Sequence, residues 1–226
     1  MFDYKENMLL QLASPGALPA DPAGAGVRAL PVAVQANARD LELIFDTIFK
    51  VEFNTCLRGG EEEPVYLPPV GGQPARIYYR HDFFSSALHE VAHWCIAGEQ
   101  RRRKTDYGYW YTPDGRDAGA QQRFEIVERK PQALEWIFSL ACGIRFGVSL
   151  DNLGQRLDIN REQCFKQSVL CQAIDFCIEG LPPRAAKFLR GLNAFYQPGL
   201  ALEPGEQILR ALRSWQTKQC KPAKPL

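Results

Sequence analysis

The chain has 226 residues, 46% of them apolar, and a formal net charge of +1. That length suits one substantial domain with extra segments; the near-neutral charge argues against a polyelectrolyte role with nucleic acid, and no apolar run approaches the ~20 residues of a membrane span. Seven cysteines, at 56, 95, 142, 164, 171, 177 and 220, form no CxxC pair and are odd in number, which favours reduced thiols over a disulfide framework or a cysteine zinc site.

In chain order, Met1-Phe2-Asp3-Tyr4-Lys5-Glu6 lacks the basic and apolar regions of a signal peptide, so a cytoplasmic protein is expected. Residues 1–37 are rich in Ala, Pro and Gly and read as a flexible extension with one short helix over 7–12. The pattern changes at Ala38: Leu41, Ile44, Phe45, Ile48 and Phe49 recur at helical spacing. Val65-Tyr66-Leu67 and Ile77-Tyr78-Tyr79 are short strand candidates between turn-rich stretches. A helix is predicted over 82–97, with Phe84, Leu88, Val91 and Cys95 as its apolar stripe and Gly98 as its stop. Arg101-Arg102-Arg103-Lys104 reads as solvated cations favouring a helix C-terminus, with docking of an acidic partner as the alternative. Residues 105–120 form an aromatic-rich loop, a substrate channel or a local core. A helix over 121–145 buries Leu134, Ile137, Phe138 and Ala141, and Pro131 should kink or restart it. Three further helices are predicted over 161–179, 183–195 and 204–217, ahead of a frayed Lys/Pro-rich end. The organisation is therefore an extension (1–37), a metal-binding domain (38–197) and a C-terminal helix with a basic Pro/Lys tail (198–226).

The chemistry centres on His89-Glu90-Val91-Ala92-His93, an HExxH motif that uses two of only three histidines. Residues four apart share one helical face, so both imidazoles reach one metal ion, and Glu90 stands where it can take a proton from a bound water. A catalytic site needs a third protein ligand. Glu99 sits at the position of the longer HExxHxxGxxH pattern, but Ile96 replaces its glycine and the chain cannot easily turn back there. Asp106 and Asp117 are loop candidates; Glu125, Glu128 and Glu135 lie on the second helix, and Glu128 is the favoured ligand. Two histidines and a carboxylate fit zinc-dependent hydrolysis or Fe(II)-dependent oxygenation, and spacing alone does not separate them. His81 upstream is the one alternative to a carboxylate as third ligand; otherwise it is structural, or a proton donor or substrate contact.

Ser86-Ala87-Leu88-His89-Glu90-Val91-Ala92-His93-Trp94-Cys95-Ile96-Ala97-Gly98 resembles the core of the elongation factor P hydroxylases. So do Tyr107-Gly108-Tyr109-Trp110-Tyr111, Pro113-Asp114-Gly115-Arg116-Asp117, and Glu128 with Lys130-Pro131-Gln132-Ala133-Leu134. The resemblance runs from about residue 39 to 196. It implies a hydroxylase acting on elongation factor P that already carries a modified lysine, classically β-lysylated. It also implies a 2-His-1-carboxylate site of His89, His93 and Glu128, with Fe(II) as the metal, zinc as the alternative, and dioxygen as co-substrate. The implied fold is α+β, a mainly helical zincin-like domain with a small β-sheet and the HExxH on a helix. Glu90 would orient a metal-bound water or relay protons; Asp106, Asp114 and Asp117 would receive the cationic side chain, and Tyr109 with its aromatic neighbours would line its stem. The competing readings are a zinc metallopeptidase using the same residues with Glu90 as general base, and a binding module whose metal is structural.

Overall fold

The structure, a computed structural model, describes residues 36–107, 116–150, 159–197 and 204–219. The first helix, α1, spans Ala38–Phe53; Asn37 caps it by accepting the Arg39 N–H, and Leu41, Ile44, Phe45 and Phe49 face inward as their spacing predicts. Asn54 ends it in the left-handed region (φ 46°) and turns the chain into a strand. Three strands follow, β1 (Thr55–Glu61), β2 (Val65–Leu67) and β3 (Ala75–Arg80), in the order β1-β3-β2. The central strand β3 runs parallel to β1 and antiparallel to β2. Helix α2 (Phe84–Ile96) carries the HExxH residues, and α3 (Ala118–Ala141) packs beside it. Helices α4 (Ile159–Glu179), α5 (Pro183–Tyr196) and α6 (Pro204–Gln219) complete a mainly helical fold with one small mixed sheet.

The core is aromatic where α1, α2 and α5 meet. Trp94 meets Phe45, Phe49 and Phe53 edge-on, at ring centroids 5.1, 4.9 and 5.5 Å away. Phe188 of α5 joins them and meets Phe138 of α3 at 5.1 Å. Arg184, in the first turn of α5, donates to the carbonyls of Trp94 (2.9 Å) and Ala97 (2.6 Å) and lies over the Trp94 ring, so it satisfies the last turn of α2. The outer edge of the sheet is closed from both sides. Asp46 and Glu42 of α1 accept the Leu57 and Gly59 N–H groups of β1, and Tyr66 of β2 exchanges two backbone hydrogen bonds with Asp106.

Several elements depart from the sequence reading. Strand β1 is not among the predicted strands, because Arg58, Gly59 and Gly60 interrupt its apolar pattern; pairing with β3 and the carboxylates of α1 hold it instead. Gly98 does not end α2: Ala97 leaves the helix first, at φ −63° and ψ 123°. Helix α3 starts at 118 and passes through Pro131 without a second start. It stops at Gly143 (φ 70°), where Gly143 N–H donates to Leu140 O and Ile144 N–H to Ser139 O, a Schellman ending. The last helix runs to Gln219, two residues beyond its predicted end. The expected helix over 7–12 and the final residues 220–226 lie outside the described residues. No helix among the described residues is long and apolar enough to cross a membrane.

After its glycine stop, the chain returns along α3 in extended form. Ile144, Phe146, Val148 and Leu150 turn inward and Gly143, Arg145, Gly147 and Ser149 outward, the period-two alternation of a strand. Phe146 stacks on Trp136 at 4.9 Å, and the Gln132 amide clasps Ser149, accepting its N–H (3.0 Å) and donating to its carbonyl (2.8 Å).

Two measurements test this packing. A Cβ at Gly191 would lie 2.5 Å from Ile48 Cδ1 and 3.1 Å from Ile44 Cγ2, so α1 and α5 touch through a glycine. Gly191→Val is expected to lower the unfolding free energy by about 1–3 kcal/mol, seen as a lower denaturant midpoint; an unchanged midpoint contradicts the close approach. Burial raises the thiol pKa of Cys56, Cys95 and Cys142, whereas Cys164 and Cys171 are exposed. A thiol reagent at neutral pH should therefore label Cys164 and Cys171 first and reach the buried three only on unfolding.

Candidate metal centre

Helix α2 presents His89 and His93 one turn apart, and the inward stripe of Leu88, Val91 and Cys95 fixes which way they face. Helix α3 answers with Glu128 and Glu135, two turns apart on the face that packs against α2. The two imidazole Nε2 atoms are 3.0 Å apart. Glu128 reaches both: one carboxylate oxygen is 3.4 Å from His89 Nε2 and the other 3.3 Å from His93 Nε2. Behind this group, Glu135 accepts from His89 Nδ1 at 2.8 Å, so that in the neutral ring a metal would bind, Nε2 is the lone-pair atom turned toward Glu128.

The electrostatics favour a cation at this point. Burial alone would hold His89 neutral, yet the Glu135 hydrogen bond and charge, with Glu128 and Glu90 behind them, push its pKa up to about 10. Burial also opposes the charge on Glu128, which is 2% exposed, but His93, His89 and Gln132 hold its carboxyl down to about 2. Burial raises Glu90, against the pull of the two histidines. His93 Nδ1 is buried with no hydrogen-bond partner among the described residues.

His89, His93 and Glu128 can each turn one ligand atom to a common point, all within 4.8 Å of one another. Ligands bound to one ion at about 2.0–2.2 Å each would be separated by about 3.0–3.5 Å; the two imidazole Nε2 atoms, 3.0 Å apart, match this, and Glu128 sets one carboxylate oxygen within 3.4 Å of each ring. Two imidazoles and a carboxylate suit a divalent transition metal, so the residues fit the group. They open onto a cleft of about 310 Å³ whose walls include Phe124, Gln132, Tyr107, Arg80, Gly147 and Ser149. Glu90 and His93 also line a second cavity of about 30 Å³ on their other side, with Tyr66, Arg102 and Asp106.

The structure thus gathers His89, Glu90, His93 and Glu128 from the sequence reading and leaves His81, Asp106 and Asp117 outside the cleft lining. Asp106 is engaged with Arg101 and the backbone of Tyr66, beside the small cavity and away from the cleft. Asp117 caps α3, accepting the Ala120 N–H at 2.7 Å. His81 has a left-handed backbone (φ 49°) and packs its ring on Phe83, outside the cleft lining. Tyr109 and Asp114 lie outside the described residues. Glu99, rejected as a ligand on spacing, pairs with Arg103 at the surface. Glu135 was one ligand candidate among three on its helix; its position instead suits orientation of His89. Its spacing of seven from Glu128 was the visible signal. Phe124 and Gln132, four residues either side of Glu128, share its face of α3, so helical spacing was their signal; Ser149 gave none, because only the folded return of residues 144–150 brings it to the cleft.

Glu135→Gln keeps an acceptor but removes the charge behind His89, and is expected to weaken metal binding about 10–100-fold. His93→Ala and Glu128→Ala should abolish stoichiometric binding. Titration calorimetry with metal-content analysis checks both; wild-type affinity in Glu128→Ala would remove that residue from the ligand set.

Comparison with known proteins bears on the chemistry. A family model described as elongation factor P hydroxylase matches residues 44–205, a range that holds every residue of the centre. A Haemophilus influenzae protein named elongation factor P lysine hydroxylase is 48% identical over 164 residues, which cover 72% of this chain and 91% of that protein.

Proposed function

The chain belongs to the elongation factor P hydroxylase family, and on that footing we propose that it hydroxylates the modified, β-lysylated lysine of elongation factor P at a site formed by His89, His93 and Glu128. The observation that carries this reading is the convergence of those three side chains at the head of an open cleft. Fe(II) is the proposed metal: held by two histidines and one carboxylate, it supplies open positions for dioxygen and substrate and the redox chemistry that oxidises a C–H bond.

The chain's own groups do the rest. Glu135 holds the His89 ring and its tautomer. Glu90 lines both the cleft and the small cavity behind it, and burial brings its carboxyl closer to neutral pH, so it is placed to hold or pass a proton. A cationic side chain entering the cleft meets Glu90, Glu128 and Glu135, with Tyr107 and Phe124 beside its aliphatic stem. His81, Asp106 and Asp117 would act on substrate only from outside this lining. A zincin-like arrangement, with the HExxH helix packed on the helix bearing the third ligand, supports the fold expectation. A cytoplasmic location accords with a translation-factor substrate. The same residues could serve a zinc peptidase, but family membership favours hydroxylation.

Elongation factor P purified from cells lacking this chain, carrying its lysine modification, tests the proposal by intact-mass spectrometry. Metal-free enzyme should leave it unchanged, and Fe(II) with a reductant should add one oxygen atom. His89→Ala should abolish this, and Glu90→Gln should slow it about 100-fold. Activity with zinc alone, or peptide cleavage in place of oxygen addition, would overturn the proposal.

A further inference from the structure

Extended backbone normally finds a partner, and in this protein the other strands have theirs. The free edge of β1 is occupied by the carboxylates of Asp46 and Glu42, and β2 by the backbone of Asp106. Residues 145–148 differ. They form an extended run with strand-like alternation, yet none of their N–H or C=O groups has a hydrogen bond among the described residues. The run is not loose: Phe146 is stacked on Trp136, Gln132 holds both polar groups of Ser149, and Arg116 and Gln121 hold the Leu150 carbonyl at 2.8 and 3.2 Å. It is a strand-like run fixed at its end and along its inner face, with its backbone groups unpaired among the described residues.

Its position gives this edge a use. The outward residues Gly147 and Ser149 line the cleft that holds His89, His93 and Glu128. A strand laid beside this run would place each residue opposite Gly147 or Ser149 with its side chain on the same face, toward the cleft. Gly147 leaves that face clear: a Cβ there would meet nothing within 4 Å, and its φ is not in the left-handed region, so neither packing nor backbone strain requires glycine. We propose that residues 145–148 are the docking edge for the protein substrate, which adds an extended segment by backbone hydrogen bonds and so delivers its modified side chain into the metal cleft. Recognition by backbone pairing supplies affinity without reading sequence, and the cleft then selects the side chain. The inference rests on the hydroxylase reading above.

Hydrogen–deuterium exchange on the metal-loaded enzyme tests it, with and without elongation factor P carrying its lysine modification. The amides of Phe146 and Val148, on the edge opposite the Gln132 clasp of Ser149, should exchange about tenfold more slowly in the complex. Gly147→Val, which fills the cleft face, should raise KM for the protein about tenfold or more, with metal binding retained. Unchanged exchange at these amides while the wild type hydroxylates the protein would overturn the docking edge alone. Absence of hydroxylation by the wild type would overturn the activity and the docking edge together.

Discussion

Two helices meet through buried charge, and the rest of the structure is arranged around that meeting. Glu128 is almost wholly buried on α3, facing two histidines of α2, with Glu135 behind one of them. An isolated carboxylate at such depth is costly, and removing one partner of a buried pair commonly costs about 3–5 kcal/mol. A shift of one residue between α2 and α3 would leave these groups facing apolar neighbours. The contact therefore sets helix register as well as placing ligand atoms, and the same carboxylates make the point between them suited to a cation.

The remaining elements hold this pair of helices from outside. Phe45, Phe49 and Phe53 pack on Trp94, the residue after His93, and Phe188 packs on Phe49 behind them. Arg184 binds the final carbonyls of the same helix. On the other side, Gln132 lies one turn beyond Glu128 and binds the returning segment at Ser149. The ligand helices are thus fixed by packing on one side and by side-chain to backbone hydrogen bonds on the other, which is the rigidity a preorganised site needs. The cleft is left open where the chain brings glycine and serine to its rim.

The centre also explains why the motif by itself is ambiguous. Two imidazoles, a carboxylate and a neighbouring glutamate suit water activation and dioxygen chemistry alike. Nothing in the three ligand positions distinguishes them. The family does: relatedness over residues 44–205 ties this arrangement to hydroxylation of a protein side chain. A protein substrate in turn needs a surface that accepts polypeptide beside the site, and the run at 145–148, unpaired among the described residues, is the surface proposed for it.

Much of this was readable from residue order, because periodicity reports local geometry. The spacing of Leu41, Ile44, Phe45 and Phe49 specified a buried helix face, and the interval of four between His89 and His93 put both rings on one side of another. Glu128 could be favoured because a helix predicted to pack on the motif helix must turn some face toward it. What spacing could not carry was any relation between segments distant in sequence. β1 has a broken apolar pattern and exists through its pairing with β3 and the carboxylates of α1. Asp106 and Asp117 have the charge for a substrate contact, but spacing could not show that one pairs with Arg101 and the other caps a helix, both outside the cleft lining. The sequence by itself determined which residues could be ligands, since that depends on side-chain chemistry and helical phase. Only the tertiary structure decided that Glu135 stands behind His89, against its Nδ1, and that Gly147 and Ser149 wall the cleft, because both depend on how far apart two helices and a returning segment come to rest.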